Sequence, residues 1–221
     1  SAGVISTLVG LETRLNTPLD AWSDGQGTVW IADTGNHRVL RVDVSGEVVT
    51  VAGTGEAGYA GDGGVALRSR LNRPSGVYVD SEGGIWIADT GNHRVRRVDP
   101  SGTIKTVAGN GEAGLAGDGG PATEAALSSP KDLVGDLDGS VWIADSGNGR
   151  LRRLDGSGTI ETLGQGAGLK SPSRIFVAEA GFLVVDDEMH RVFKVDYSGA
   201  VTALFGPDVE RILEDPSDIC V

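Results

Sequence analysis

The chain has 221 residues and a formal net charge of −12, which argues against nucleic acid as a partner, because such binding calls for a basic surface. Hydrophobic residues make up 39% of the chain and charged residues 23%, so a disordered chain is excluded. Glycine is in excess, at 35 residues, and predicts many short strands joined by tight turns.

Targeting and redox signals are few. The chain contains no run of 18 apolar residues and no charged-then-apolar N-terminal segment, so we expect no membrane insertion and no signal peptide in this chain. The compartment stays open, and the mature part of an exported or extracellular protein fits equally well. A single cysteine, Cys220, excludes an internal disulfide, and its apolar neighbours favour a small buried side chain.

A 14-residue motif recurs along the chain. Residues 30–43 read WIADTGNHRVLRVD, and residues 86–99 are identical to them at 13 of 14 positions. Residues 142–155 match the second copy at 10 positions, and residues 183–196 match it at 6 positions. Repetition at a nearly fixed spacing is typical of solenoids and propellers.

Each copy of the motif lies within a longer unit. The unit starts at a proline and an apolar run, passes through a Gly-rich turn, the motif and a Ser-Gly turn, and ends in another apolar run. These runs predict a four-stranded antiparallel meander, and such sheets repeated around an axis are propeller blades. The predicted fold is an all-β propeller of four-stranded antiparallel blades, with complete repeats at about 17–55, 73–111, 129–164 and 171–206.

The turns of the motif resemble those of a known family. Residues 36–39 and 92–95 both read NHRV and match the naming motif of the NHL repeat, with Arg in place of Leu. The flanking Ile-Ala-Asp-Thr-Gly and Arg-Val-Asp-x-Ser-Gly segments are also similar to that family, and only the fourth copy is degenerate, at 187–189. The resemblance implies a propeller whose relatives mostly bind protein, peptide or RNA, with some lyases and hydrolases among related propellers.

The two ends of the chain complicate closure of the ring. With the strands of a blade lettered a to d from the inside outward, residues 1–10 match a d strand and residues 215–221 match an a strand. A single domain over 1–221 would then contain a partial blade split between the termini. Three interpretations stay open: a piece of a longer propeller, a ring with a thin closing blade, or a part completed by homo-oligomerisation through open strand edges.

One position departs from the repeat, two residues after the proline of strand a. One repeat carries Gly76 there, whereas the others carry Asp20, Asp132, Arg174 and Asp218. We expect these four charged residues to ring the mouth of the central channel and to bind a ligand. That ligand could be a polar small molecule, a basic side chain or, at the three aspartates, a divalent cation such as calcium, which prefers several oxygen ligands. Alternatively, Arg174 simply pairs with the neighbouring aspartates.

Two connectors between strand d and the next strand a are long, at 53–73 and 109–129. Connectors of this length usually carry function or pack against the body of the domain. They lack the Gly-Lys-Ser/Thr of a phosphate loop and carry acids, which argues against a phosphate site. The residues predicted to form a binding face on these loops are Glu56, Tyr59, Asp62, Glu112 and Asp118.

The histidines and the search for nucleophiles give no catalytic residue. His37, His93 and His190 share one repeat position, and equivalent positions on neighbouring blades lie about 10 Å or more apart. Because bonds to zinc are about 2 Å long, these side chains cannot share one ion, and a turn-stabilising role is predicted. The sequence contains neither Gly-x-Ser-x-Gly nor His-Glu-x-x-His.

Three functional hypotheses follow. The first is a non-enzymatic binding or scaffold propeller that uses its long connectors to hold a protein, a peptide or a small ligand. The second is a metal-dependent hydrolase or lyase, which the resemblance to other propellers implies and which would use Asp20, Asp132 and Asp218 as ligands. The third is a self-assembling propeller fragment.

Overall fold

A computed structural model describes residues 14–163, 168–178 and 180–205. The predicted terminal strands at 1–10 and 215–221, together with Asp218 and Cys220, lie outside these ranges, so the partial blade stays a prediction. Within the described ranges, no helix has the length and apolar character needed to span a membrane.

The described chain folds into four antiparallel sheets. The first sheet contains β1 (Asp20–Ser23), β2 (Val29–Asp33), β3 (Arg38–Val42) and β4 (Val48–Ala52). The second contains β5 (Gly64–Val65), β6 (Gly76–Val79), β7 (Ile85–Asp89), β8 (Arg94–Val98) and β9 (Thr103–Ala108). The third contains β10 (Gly120–Pro121), β11 (Asp132–Gly135), β12 (Val141–Asp145), β13 (Arg150–Leu154) and β14 (Thr159–Leu163). The fourth contains β15 (Pro172–Ala178), β16 (Gly181–Asp186), β17 (Arg191–Val195) and β18 (Val201–Phe205).

The sheets are the blades of a propeller. Four strands of each sheet pair in chain order as a meander, and the innermost strands lie side by side, β1 beside β6, β6 beside β11 and β11 beside β15. The predicted all-β propeller is therefore confirmed. The two-residue strands β5 and β10 come from the long connectors and pair outside β9 and β14, which covers part of the outer edge of blades 2 and 3.

The core lies between neighbouring blades. Apolar residues of one sheet pack against the next sheet, as Val39 of blade 1 does against Ile87 and Ile104 of blade 2. The connector contributes to this layer, because Leu127 is fully buried between blades 2 and 3. Strands buried on both faces account for the nearly continuous apolar runs of the sequence.

Hydroxyl groups join each blade to the next. The residue after strand b carries a hydroxyl in blades 1 to 3, and it donates to the carbonyl of the proline that starts the following blade. The bonds join Thr34 to Pro74, Thr90 to Pro130 and Ser146 to Pro172. The degenerate fourth blade carries Asp187 at this position, and its carboxylate instead accepts hydrogen bonds from Ser173 and Lys131.

The histidines stabilise turns, as predicted. His37 and His93 adopt left-handed backbone conformations with φ of 52° and 55°, which are uncommon for residues other than glycine. Their Nδ1 atoms each accept, at 3.0 Å, a backbone N–H at the start of the next blade, from Arg73 and Ser129 respectively. Gly149 holds the same conformation in the third blade, with φ of 61°.

The close approach of blades 2 and 3 gives a first prediction. A Cβ atom on Gly76 would lie 2.8 Å from both the Asp132 Cα and the Lys131 carbonyl oxygen. Gly76→Ala is therefore expected to lower the free energy of unfolding by about 1–3 kcal/mol, measured by urea denaturation. Gly156→Ala is the control, because no atom lies within 4 Å of its Cβ position, and it should change the value by less than about 0.5 kcal/mol. Equal effects of the two substitutions would contradict the prediction.

Candidate functional site

Two aspartates at the channel mouth hold neighbouring blades together. Asp20 starts β1, and its Oδ2 atom accepts the N–H of Val77 in β6 at 2.8 Å. Asp132 starts β11, and its Oδ2 atom accepts the N–H of Ile175 in β15, also at 2.8 Å. The Oδ1 atom of Asp132 accepts the N–H of Leu133 at 2.9 Å. Each carboxylate thus links its own blade to the next one.

Arg174 lies at the same mouth and reaches across it. Its Nη1 atom donates to the Ser173 carbonyl at 2.8 Å, and its Nη2 atom donates to the Leu19 carbonyl just before β1. Asp20 and Arg174 therefore lie close enough to Asp132 for their charges to act on it, while Asp218 lies outside the described residues. That these residues ring a channel mouth and bind a ligand stays a prediction.

Burial sets the electrostatics of the mouth. Removal from water raises the pKa of Asp132 to about 7, and the negative charge of Asp20 acts in the same direction. The charge of Arg174 and the hydrogen bond from Ile175 act against this shift without cancelling it.

The structure adds nothing in favour of a cation at the mouth. Across 14–163, 168–178 and 180–205, no group of three or more His, Cys, Asp or Glu side chains could hold a metal ion. Asp20 and Asp132 are also engaged by backbone N–H groups. The calcium hypothesis depends on Asp218 as a third ligand and stays a prediction.

The raised pKa of Asp132 predicts a pH dependence. Because the folded-state pKa exceeds the unfolded value, this group favours folding fully below about pH 4 and loses that contribution as the pH rises through about 7. We expect the unfolding free energy of the wild type, minus that of Asp132→Asn, to fall by about 2–3 kcal/mol between about pH 5 and pH 8. Urea unfolding of both proteins at each pH measures this difference. The exposed control Asp138→Asn should show no such fall, and a constant difference for Asp132→Asn would contradict the assignment.

Buried arginines hold the long connectors. Arg96 in β8 is fully buried, and its guanidinium lies 2.6 Å from Asp62 of the connector and 3.4 Å from the buried Asp89. Arg152 in β13 is also fully buried and lies 2.8 Å from Asp118 of the second connector. The acids predicted on these loops, Asp62 and Asp118, therefore anchor the connectors to the blades.

The anchoring role of these two arginines was not predicted, although the sequence contains a signal for it. The positions of Arg96 and Arg152 are occupied by Leu40 in blade 1 and by Phe193 in blade 4. At this position of strand c, arginine occurs only in the two blades that follow a long connector with the sequence Ala-Gly-Asp-Gly-Gly. This co-occurrence points to an ion pair between strand c and the connector.

The other predicted loop residues stay at the surface. Glu56 forms an exposed ion pair with Arg70 of the same connector. Tyr59 donates from its hydroxyl to Asp62 at 2.7 Å, and the guanidinium carbon of Arg94 lies 3.8 Å from the centre of its ring. Tyr59 is nevertheless 43% exposed.

The second connector presents a similar surface. Leu115 occupies the position of Tyr59 and is 46% exposed, and the neighbouring Glu112 is also exposed. All five predicted loop residues are thus on the connectors as expected, with two of them engaged by buried arginines.

The buried pair of blade 3 gives a third prediction. Asp118→Ala removes a partner of the fully buried Arg152 and is expected to cost about 2 kcal/mol of unfolding free energy. Asp138→Ala is the matched control, because Asp138 pairs with Arg153, which neighbours Arg152 in β13 and is partly exposed. This substitution should lower the free energy of unfolding by about 0–1 kcal/mol. Denaturation with urea measures both values, and equal costs would contradict the anchoring role.

Two cavities open on the other face of the propeller, which the a–b and c–d turns form. A cavity of about 660 Å³ lies between blades 2 and 3, and one of about 650 Å³ lies between blades 1 and 2. Tyr78 lines both cavities, and a Cβ atom at Gly135 would collide with its hydroxyl. The sequence did not predict these cavities.

Solved structures place the chain in the class of β-propellers. A chain of the nidogen/laminin complex superposes with a TM-score of 0.67 at 17% identity, covering 93% of this chain and 69% of its own length. A streptogramin B lyase structure gives a TM-score of 0.62 at 16% identity, covering 87% of this chain and 55% of that one. At these identities the similarity shows the fold alone.

Sequence comparison identifies the family. Residues 71–98 match the model of the NHL repeat. NHL repeat-containing protein 2 of Bos taurus is 32% identical over 215 residues, covering 80% of this chain and 29% of that protein. Protein SUPPRESSOR OF QUENCHING 1, chloroplastic, of Arabidopsis thaliana is 37% identical over 92 residues, covering 41% of this chain and 8% of that protein. The chain belongs to the NHL-repeat family and spans less than a third of the length of these two relatives.

Proposed function

We propose that this propeller is a non-enzymatic binding module that holds a protein or peptide on its connector face. This face is formed by the connectors at 53–73 and 109–129 and by the b–c turns of the blades. The observation that carries the proposal is that Tyr59 and Leu115 are exposed on loops anchored by buried ion pairs. Preorganised loops on a rigid scaffold lose little conformational entropy when they bind a partner.

The hydrogen bonds around the connectors support this preorganisation. The Nδ2 atom of Asn92 donates to the Gly58 carbonyl at 2.7 Å, and that of Asn148 donates to the Gly114 carbonyl at 2.6 Å. Each bond fixes the residue just before Tyr59 or Leu115 to the b–c turn of the following blade. Both exposed side chains are therefore presented from fixed backbone.

The chemistry of the face favours a partner with a basic residue next to an apolar one. Tyr59 with the Arg94 guanidinium over its ring is the kind of aromatic and arginine pair that dominates many interfaces. Glu56 and Glu112 flank the apolar positions, and the net charge of −12 attracts cationic partners. The similar chain of the nidogen/laminin complex comes from a protein assembly, which agrees with a binding role by analogy of fold.

A substitution on the second connector tests the proposal. Peptides selected on the wild type from a random phage-displayed library are expected to contain Lys or Arg beside an apolar residue. Leu115→Glu should weaken their binding at least about tenfold in isothermal titration calorimetry, because a carboxylate would have to be desolvated at an apolar contact.

Leu137→Glu is the matched control for this experiment. Leu137 is an equally apolar and fully exposed residue on the opposite face, so this substitution should leave the Kd unchanged. Circular dichroism of both variants checks the fold. Unchanged affinity in Leu115→Glu, or a library that yields no binder, would overturn the proposed function.

A further inference from the structure

On the face opposite the connectors, aspartates in blades 2 and 3 accept hydrogen bonds from the indole N–H of a tryptophan and from an arginine. In blade 2, the Asp80 Oδ2 atom accepts the indole N–H of Trp86 at 2.8 Å and an Nη2–H of Arg97 at 2.7 Å. Trp86 and Arg97 are direct partners across strands β7 and β8. Blade 3 repeats the arrangement with two carboxylates, joining Trp142 to Asp136 and Arg153 to Asp138.

Blade 1 keeps the same cross-strand pair without its acceptor. Trp30 faces Arg41 across β2 and β3, and among the residues that the structure describes the buried Nε1 atom of Trp30 has no hydrogen-bond partner. Arg41 is exposed and its charge acts on Asp43, but within the described residues it forms no ion pair at contact distance. Asp24, at the position of Asp80, accepts the N–H groups of Gln26 and Thr28 with its Oδ1 atom, as Asp80 accepts those of Glu82 and Gly84. Unlike Asp80, it accepts no hydrogen bond from the tryptophan of its blade. Trp30 and Arg41 therefore lack the contact with a carboxylate that blades 2 and 3 supply to their counterparts.

Trp30 and Arg41 line the cavity of about 650 Å³ between blades 1 and 2, and the Nε1 atom of Trp30 lies below its surface. Trp22 and Tyr78 form aromatic walls, with ring centroids 5.9 Å apart and planes at 87°. Asp24 and Asp80 also line the cavity. Arg97 lies 2.7 Å from Asp80 and offsets its charge, and the Asp24 carboxylate accepts the N–H groups of Gln26 and Thr28. A concave site with apolar walls and a few convergent donors is typical of ligand pockets.

We propose that this cavity binds a carboxylate attached to an apolar group, as at the C-terminus or an acidic side chain of a peptide. The carboxylate takes the role that Asp80 has in blade 2, with Arg41 as its ionic partner and the Trp30 indole N–H as a second donor. The apolar group packs against Trp22 and Tyr78. Because the Trp30 Nε1 atom is buried, binding includes a small movement of the side chains that cover it.

The negative net charge of the protein does not attract a carboxylate from a distance, so binding at this site relies on direct contacts. A net charge of −12 repels anions at a distance, but charges are screened beyond about 8 Å at physiological ionic strength. Binding therefore depends on Arg41 and Trp30 themselves, and it is independent of the connector face.

Nuclear magnetic resonance of the indole N–H groups tests the proposal directly. The protein has four tryptophans, so ¹⁵N labelling gives four indole signals, assigned with Trp30→Phe and Trp142→Phe. Titration with 3-phenylpropionate is expected to move the Trp30 signal downfield until saturation and to leave the Trp142 signal in place. The neutral 3-phenylpropionamide should move neither signal, and an equal shift with the amide would overturn the proposal.

Matched arginine variants complete the test. Arg41→Gln should weaken binding of 3-phenylpropionate at least about tenfold, whereas Arg153→Gln, at the same strand position in blade 3, should bind like the wild type. The undisturbed Trp86 and Trp142 signals in Arg41→Gln show that the variant is folded. Unchanged affinity of Arg41→Gln, or a Trp30 signal that does not respond to the carboxylate, would overturn the proposal.

One further variant asks whether Asp24 supplies the missing acceptor in solution. If Asp24 held the Trp30 N–H, Asp24→Asn would move the Trp30 signal without any ligand, and that result would also overturn the proposal. We expect the Trp30 signal of Asp24→Asn to coincide with that of the wild type.

Two peptides then identify the source of the carboxylate. Gly-Gly-Phe carries a free C-terminal carboxylate, and acetyl-Phe-Glu-amide carries only a side-chain one. The peptide that moves the Trp30 signal shows whether the site binds a C-terminal or a side-chain carboxylate. If only 3-phenylpropionate moves this signal, the site binds small carboxylates. Leu115→Glu should not change any of these titrations, so failure here and failure of the proposed function are distinguishable.

Discussion

A fully buried aspartate at the end of strand b supports every described blade. In the first three blades its Oδ1 atom accepts a backbone N–H from the connector that leads into the blade, at 2.7 or 2.8 Å; the aspartates are Asp33, Asp89 and Asp145. Burial raises the pKa of Asp89 to about 6, because a carboxylate removed from water is costly unless donors surround it. Connector, turn and strand c must all supply donors to this group, and so they are held together.

This constraint separates the two faces of the molecule. On the connector face, Asp62 and Asp118 are engaged by buried arginines, and Tyr59 and Leu115 are exposed on the connectors that these ion pairs anchor. On the opposite face, shorter turns leave clefts between blades, with aromatic walls such as Trp22 and Tyr78. The two proposed binding sites therefore share no residues.

The sequence predicted the blades, because strand alternation and turn residues are local features. The turn role of His37 and His93 could also be predicted, since their repeat position excludes a shared ion. The pair of Arg96 and Asp62 joins residues 34 positions apart, which a local pattern does not reveal. The unsatisfied Trp30 could not be predicted for another reason. Blade 1 has the same Trp, Arg and Asp as blade 2, and it lacks only the hydrogen bond from the indole to the aspartate.

The pairing of a buried arginine with its connector bears on how such repeats evolve. A duplicated blade that carries the arginine of strand c without the long connector would bury a positive charge with one carboxylate partner fewer. Such a blade would be less stable, because a buried charge without its partner is strongly destabilising. The reverse loss would leave Asp118 without the anchor that Arg152 provides. Strand c and the connector therefore form one structural unit, and a duplicated segment keeps the ion pair intact only if it begins before the connector and not at the first strand of the blade.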